Sequence, residues 1–183
     1  GVEIELLLTD GKMDLLEAGA DLGILHGALP DSSMIVHHLV TDRRLVVASP
    51  AYIRRFGAPK TPDDLADHNC IVWWNAQRHL NRWPFDGGRE VIATGNVVVD
   101  NGETLFRMAR AGVGLIRLAE FVAGQAIRAG RLVPVLSEYT REDSLPIYAI
   151  FPHRRHVAAK VRAFLDFLDL RFAGGPPWRI YDG

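Results

Sequence analysis

Polar residues and glycines follow three predicted strands of this sequence, at positions where a parallel sheet can bind a ligand. These turns are Thr9-Asp10-Gly11, His26-Gly27 and Asp100-Asn101-Gly102. Open parallel sheets bind ligands beyond the carboxyl ends of their strands, close to helix N-termini. The third turn precedes a predicted helix, so its backbone N–H groups and the Asn101 amide predict binding of a polar or anionic group. Asp100 and Asn101 are also typical helix caps, and capping without a ligand is an equally good interpretation.

Other chemistry has weaker support, and we predict neither an enzyme nor a metal or cofactor site. The sequence contains no Gly-x-Ser-x-Gly motif, no phosphate-binding loop and no His-Glu-x-x-His motif. His37 and His38 are neighbours on a predicted strand, so their side chains point to opposite faces. His153 and His156 are separated by two arginines, whose charges oppose a metal cation. Cys70, in an apolar segment, is interpreted as a small core residue.

Three tryptophans are the remaining candidates for ligand contact. Trp73 and Trp74 are adjacent, and Trp83 follows nine residues after Trp74. Core packing is the simpler interpretation, and an aromatic wall of a ligand cleft is the alternative. The sequence leaves both interpretations open.

Composition restricts the class of protein. The 183 residues carry 21 basic and 22 acidic side chains, a net charge of −1, which argues against non-specific binding to nucleic acid. A single cysteine excludes an intrachain disulfide. No apolar run reaches the roughly 18 residues of a membrane helix, and the first residues do not resemble a signal peptide. We therefore expect a cytoplasmic α/β protein.

Alternation and turn residues predict the elements that position these candidates. Apolar residues alternate over 2–8, a helix is predicted over 12–18 and a strand over 22–25, which together indicate a strand–helix–strand unit with parallel strands. Ser49-Pro50 and Thr61-Pro62 predict two helix starts. A tail outside the fold begins at Gly174, although Trp178 and Tyr181 are able to dock. Further predicted strands span 36–39, 45–48, 70–74, 82–85, 90–93, 97–99, 113–118, 132–136 and 147–151, and further helices span 50–56, 103–111, 120–129 and 157–172.

Seven short segments in one order resemble a known family. They are residues 14–24 (DLLEAGADLGI), 47–53 (VASPAYI), 61–68 (TPDDLADH), 111–116 (AGVGLI), 129–136 (AGRLVPVL), 148–156 (YAIFPHRRH) and 160–164 (KVRAF). Over about residues 2–172, the chain resembles the effector-binding portion of LysR-type transcriptional regulators, a family of bacterial DNA-binding proteins.

The resemblance implies a fold and a site. The fold is that of the type 2 periplasmic binding proteins, with two Rossmann-like α/β lobes joined by two crossover strands and a ligand in the cleft. We expect lobe I to comprise 1–70 and 147–172, lobe II to comprise 71–146, and 173–183 to form a C-terminal tail. Trp73 and Trp74 would then lie near the crossover. The residues expected to bind the effector are Thr9, His26, Gly27, Asn101, Gly102, Ile116 and Arg117.

The resemblance also implies partners and raises one alternative. The family's winged helix-turn-helix domain, and the first strand and helix of its binding domain, have no counterpart in this sequence. We expect the full-length protein to be a homodimer or homotetramer that contacts DNA through that N-terminal domain and binds a small, polar or anionic effector. The alternative is a solute-binding protein of a transport system with the same fold. An enzyme on this fold would need a reactive residue in the cleft, for which Cys70 is a poor candidate.

Overall fold

The computed structural model of the chain describes residues 3–10, 14–27, 29, 33–140, 144–152 and 157–180, and of residues 75–77 it describes the backbone alone. Those residues form ten strands and four α-helices. The strands are β1 (Gly23–His26), β2 (Met34–Asp42), β3 (Arg44–Ala48), β4 (Ile71–Trp73), β5 (Arg82–Phe85), β6 (Arg89–Ile92), β7 (Val97–Val99), β8 (Ile116–Ala119), β9 (Val133–Val135) and β10 (Leu145–Pro152). The helices are α1 (Pro50–Phe56), α2 (Gly102–Arg110), α3 (Glu120–Arg128) and α4 (Ala159–Phe172), with 3-10 helices at Pro62–Asp67, Asn75–Asn81, Asp86–Gly88 and Ser137–Tyr139. Across the described part of the chain, no helix has the length and apolarity needed to cross a membrane.

The chain divides into two compact units. Unit 1 comprises Gly1–Asp42 and Leu145–Pro177, and unit 2 comprises Arg43–Ser144 and Trp178–Gly183. This division differs from the boundaries expected near residues 70 and 146, because β3 pairs with β8 and β9 of unit 2. The short 3-10 helix Pro62–Asp67 also contributes Leu65 to the core of unit 2.

Unit 1 is built on an antiparallel sheet in the order β1-β10-β2. Helix α4 packs against β2, with Val161, Leu165 and Leu168 buried at helical spacing. Leu39 and Val40 of β2 are also buried. Large apolar side chains of this unit, among them Ile24 of β1 and Val36 of β2, remain exposed to solvent.

Unit 2 contains a mixed sheet with a core on each face. Strands β4 and β7 are parallel. A parallel bridge between Cys70 and Leu115 joins the residue before β4 to the residue before β8. Strand β3 lies antiparallel between β8 and β9. Successive residues of each strand point to opposite faces. Thus Val46 enters one apolar cluster, with Trp83 and Phe85, and Val47 enters the other, with Leu105 of α2.

Local caps explain where the first helical turns begin. The Ser49 hydroxyl accepts the Tyr52 N–H at 3.1 Å, and proline occupies the first helical position. Asp64 accepts the N–H groups of Lys60 at 2.7 Å and Thr61 at 3.0 Å, which closes a capping box. Both helix starts predicted from the sequence are confirmed.

Three predictions for the N-terminal segment are wrong. Residues 3–9 form no strand and are exposed, because alternation alone supplies no hydrogen-bond partner for an isolated strand. Residues 15–19 form a turn instead of a helix, and the Ala18 N–H donates to the Asp14 carbonyl at 3.0 Å. Lys12 and Met13 lie outside the described residues. Strand β1 does form, but its partner is the antiparallel β10 rather than a parallel neighbour.

The C-terminal tail docks on unit 2. The ring of Trp178 lies edge-on to Phe121, with the ring centroids 6.0 Å apart, and its carbonyl accepts a hydrogen bond from Arg128 at 2.9 Å. The backbone comes so close to α3 that a Cβ at Gly124 would lie 2.6 Å from the Trp178 oxygen. Trp178 therefore does dock, so this part of the tail is not outside the fold as expected, whereas Tyr181 lies outside the described residues.

Candidate ligand-binding site

The carboxyl ends of the parallel strands β4 and β7 lie side by side at one edge of the unit 2 sheet. Trp73 is in register with Val99, and the Trp74 N–H donates to the Val99 carbonyl at 2.7 Å. Asn101 and helix α2 follow β7 directly. The structure therefore places the third polar turn at the kind of sheet edge where ligands bind.

Asn101 is the N-cap of α2. Its side-chain oxygen accepts the N–H of Thr104 and the Thr104 hydroxyl, both at 3.0 Å. This confirms that Asn101 caps the helix, while its role as a ligand residue stays a prediction. The Asn101 amide also carries an NH₂ group, and the exposed side chain lies at the positive end of the helix dipole beside Gly102.

Ile116 and Arg117 are neighbours on β8 with different surroundings. Ile116 is 1% exposed and packs in the core beneath α2, so it supports the strand from inside the unit. Arg117 is half-buried opposite Val46, on the other face. Arg117 lies on β8, whereas Asn101 follows β7, which pairs with β4, so the two residues do not come from adjacent strands.

The other expected site residues belong to unit 1. Thr9 is exposed in a segment without regular secondary structure. His26 ends β1 opposite Ile147 and is exposed. Gly27 has a φ of +84°, which favours glycine, and its N–H donates to the Pro146 carbonyl at 2.9 Å.

An open groove of about 530 Å³ lies on unit 2 beside the β4–β7 edge. We call it the Trp73 groove. It is lined by Val72, Trp73, Arg78, His79, Asn81, Arg82, Ile92, Ala93, Thr94, Gly95 and Val98. Trp73 is the last residue of β4, and Val98 is the last residue but one of β7.

The three tryptophans have different roles. Trp83 is 2% exposed in the core of unit 2, as the simpler interpretation predicted. Trp73 packs against the core beneath α2 and also lines the groove, so core packing is confirmed for it and its role as a wall of a ligand cleft stays a prediction. Trp74 is 47% exposed, and the guanidinium of Arg78 lies 5.6 Å from its ring centre. Sequence reasoning missed Arg78 and His79, although their closeness in sequence to the tryptophans was a usable signal.

The histidines of β2 have separate partners. His37 Nε2 lies 2.7 Å from an Asp169 oxygen, and His38 Nε2 lies 3.0 Å from the Thr41 hydroxyl. Among the described residues no three His, Cys, Asp or Glu side chains are grouped in a way that could hold a metal ion. His153 and His156 lie outside the described residues.

Cys70 is a core residue. It is 0% exposed, and burial raises the pKa of its thiol to about 12. At neutral pH the thiol is therefore protonated and shielded, the opposite of what a nucleophile requires.

The comparisons with known proteins identify the class. The family model for the LysR substrate binding domain matches residues 1–173. An HTH-type transcriptional regulator of Haemophilus influenzae is 36% identical over 166 residues, which are 87% of this chain and 56% of that protein. The chain thus spans about half the length of the curated relatives it matches.

Solved structures agree with that result. The regulatory domain of CrgA, a LysR-type transcriptional regulator from Neisseria meningitidis, superimposes with a TM-score of 0.81 at 30% identity, covering 89% of this chain and 80% of that domain. Full-length AphB of Vibrio cholerae gives a TM-score of 0.77 at 24% identity, covering 93% of this chain and 58% of AphB, and supports the fold alone.

The fold is therefore that of the periplasmic-binding-protein-like α/β regulatory domains. The chain belongs to the LysR substrate binding domain family, the effector-binding part of LysR-type transcriptional regulators. The relatives are regulators of transcription, which favours this assignment over a transport protein.

Proposed function

We propose that this chain binds a small polar or anionic metabolite and that binding controls transcription by the full-length protein. The observation that carries the proposal is the β4–β7 edge, where the N-terminus of α2 and the Asn101 side chain follow two parallel strand ends. This edge combines a positive helix end with an amide that can donate and accept hydrogen bonds. The family and relatives such as the Haemophilus influenzae protein, which is a transcriptional regulator by name, supply the link to transcription.

The proposed mechanism is a shift between arrangements of the two lobes. An effector changes such an equilibrium only by the difference in its affinity for the two arrangements. Thr9, His26 and Gly27 are the proposed contacts from the first lobe, and Asn101, Gly102 and Arg117 those from the second. In a homodimer or homotetramer, the change would reach DNA through an N-terminal winged helix-turn-helix domain. We place the full-length protein in the cytoplasm, where that domain meets its operator.

Binding, rather than catalysis, is the proposed activity of the domain. The relatives are named as transcriptional regulators and not as enzymes. The protonated, shielded thiol of Cys70 supports the same view.

Isothermal titration of this chain against a panel of small metabolic acids and amides tests ligand binding. We expect Asn101→Ala to weaken the binding of a ligand from the panel about tenfold or more, the usual effect of removing a hydrogen bond to a charged group. Asn101→Asp keeps a capping oxygen but adds a negative charge, so an anionic ligand should bind more weakly to it as well.

Ser49→Ala is the matched control for the loss of a helix cap. Ser49 caps α1 through the Tyr52 N–H, and its loss should lower stability by about 1 kcal/mol without changing ligand affinity. If no member of the panel binds, or if Asn101→Ala binds as tightly as the parent chain, the assignment of this edge is contradicted.

The regulatory half of the proposal needs the full-length protein. Footprinting on its operator, with and without the ligand found by titration, should show a ligand-dependent change in affinity or in the protected region. An identical footprint in both conditions would contradict control of transcription by this ligand.

A further inference from the structure

The chemistry of the Trp73 groove narrows the class of ligand. We propose that it binds the body of a small organic anion, with an aromatic or aliphatic part against the tryptophan wall and a carboxylate facing Arg78. This rests on the proposed function, since the groove is taken as part of the same effector site, and it goes further by naming the ligand class and its counter-ion.

Exposed apolar side chains surround the groove. Ile92 is 61% exposed and Val98 47%, both lining the groove, and Trp74 beside it is 47% exposed. Apolar side chains grouped around a concave surface are a common mark of a binding site. Covering them with an apolar ligand would remove this surface from water, which is favourable.

The polar lining favours an anion. Arg78, His79 and Arg82 contribute to the wall, and the described residues that line the groove include no Asp or Glu. Arg82 already pairs with Glu90, at 2.6 Å between Nη1 and Oε1. Arg78 instead lies over the Trp74 ring, which leaves its guanidinium beside the groove as a partner for a carboxylate.

The backbone of Trp73, whose side chain would contact the apolar part, is held in place. Asn81 accepts the Trp73 N–H at 2.7 Å and donates to the Trp73 carbonyl at 3.0 Å. The next residue, Trp74, is bonded to the Val99 carbonyl of β7. A backbone fixed before binding loses little conformational entropy when a ligand arrives.

The groove shares Trp73, the last residue of β4, with the edge proposed to bind the effector. Trp73 and Val98 line it, and the chain continues from Val98 through Val99 and Asp100 to Asn101. A single ligand of moderate size is therefore expected to affect both the groove and the start of α2.

The probe we choose is 2-naphthoate, an aromatic carboxylate that fits a groove of about 530 Å³. Titration of the ¹⁵N-labelled chain followed by NMR should shift the amides of residues 92–98 in a saturable manner. The neutral amide 2-naphthamide, with the same ring system, should bind at least tenfold more weakly. Inorganic phosphate, which has no apolar part, should leave these amides unchanged.

Variants of Arg78 distinguish the contribution of its positive charge to ligand binding from that of its size and shape. Arg78→Met should weaken 2-naphthoate binding about tenfold or more, while Arg78→Lys should retain part of the affinity. Arg55→Met is the matched control, because Arg55 also lies over an aromatic ring, that of Phe56 at 4.9 Å, and does not line the groove. The control should bind like the parent chain.

Three results would overturn the inference: no shifts at residues 92–98, equal affinity for the acid and the amide, or unchanged affinity in Arg78→Met. If any of these occurs while a metabolite still binds in an Asn101-dependent manner, the ligand class is wrong and the proposed function stands. If 2-naphthoate binds as described but no effector alters DNA binding, the groove is a ligand site and the regulatory proposal fails.

Discussion

The two units of this chain cover their sheets to different extents. In unit 2 an apolar cluster lies on each sheet face, and Val47, Ala48, Cys70 and Leu115 have no exposed surface, although Ile92 and Val98 at the Trp73 groove remain exposed. In unit 1, helix α4 covers part of the sheet, and exposed apolar side chains remain on its elements and beside them. They are Ile4, Leu6, Leu7, Leu8, Leu16, Ile24, Val36, Phe167 and Leu170. Because burial of apolar surface is the main stabilising contribution, unit 2 should be the more stable.

The two units also differ in how deeply their charged pairs are buried. In unit 2 the guanidinium of Arg43 holds Glu120 at 2.9 and 3.2 Å, Glu120 is fully buried, and its Oε1 accepts the Ile180 N–H at 2.7 Å. In unit 1 the Lys160–Asp21 pair is at 2.5 Å, but both side chains are about half exposed. A buried pair cannot lose one partner without leaving a charge in a poorly solvated place, whereas water replaces either partner of an exposed pair.

The largest expected effect concerns local opening. Hydrogen exchange followed by mass spectrometry should show amides of β3, β4 and β8 exchanging on the order of 100-fold more slowly than those of β1, β2 and β10. Equal protection in both sheets would show that the apolar residues exposed in unit 1 do not weaken it.

Removal of Glu120 should give the next largest effect. Glu120→Ala leaves Arg43 without its carboxylate and the Ile180 N–H without its acceptor, and should cost about 3 kcal/mol of unfolding free energy. Asp21→Ala, which removes the exposed pair, should cost less than about 1 kcal/mol. Urea denaturation measures both, and costs of similar size would contradict the distinction between the two pairs.

Release of the tail is a smaller effect on the same unit. In Gly124→Ala the new Cβ meets the Trp178 oxygen, so the tail must move, while alanine stabilises the helix by up to about 1 kcal/mol. Overall stability should therefore change little, but trypsin should cleave after Arg179 several times faster. Gln125→Ala, at an exposed neighbour, is the control. Unchanged cleavage in Gly124→Ala would mean that the close approach does not hold the tail.

The smallest effect is expected at the surface of unit 2. Hydrogen bonds from the N–H groups of Lys60 and Thr61 lower the pKa of Asp64 below its usual value of 3.8. A lowered folded-state pKa stabilises the protein above pH 3.8, and this contribution is lost as the pH falls through the folded-state pKa. Asp64→Ala should thus be less stable than the parent at pH 7, with the difference shrinking at low pH. A difference that does not depend on pH would show that the carboxylate charge plays no part.

Features that depend on a few neighbouring residues could be predicted from the sequence. A cap oxygen and the restricted φ of proline act within one turn, so the starts of α1 and of the helix at Pro62–Asp67 were predicted correctly. The strand at β1 was also correct, as was Asn101 as a cap. The role of Asn101 as a ligand residue stays a prediction, since a cap and a ligand contact require the same residue type.

Features that join distant residues were decided by the tertiary structure. Residues 3–9 have the alternation of a strand but pair with none of the described strands, and β1 found its partner more than 120 residues away in β10. The Arg43–Glu120 pair, the docking of Trp178 at Gly124 and the meeting of Arg78 with Trp74 likewise depend on backbone placement. The pattern of side chains indicates which residues of a segment can be buried or hydrogen-bonded. The partner against which the segment packs depends on the free energy of the whole fold.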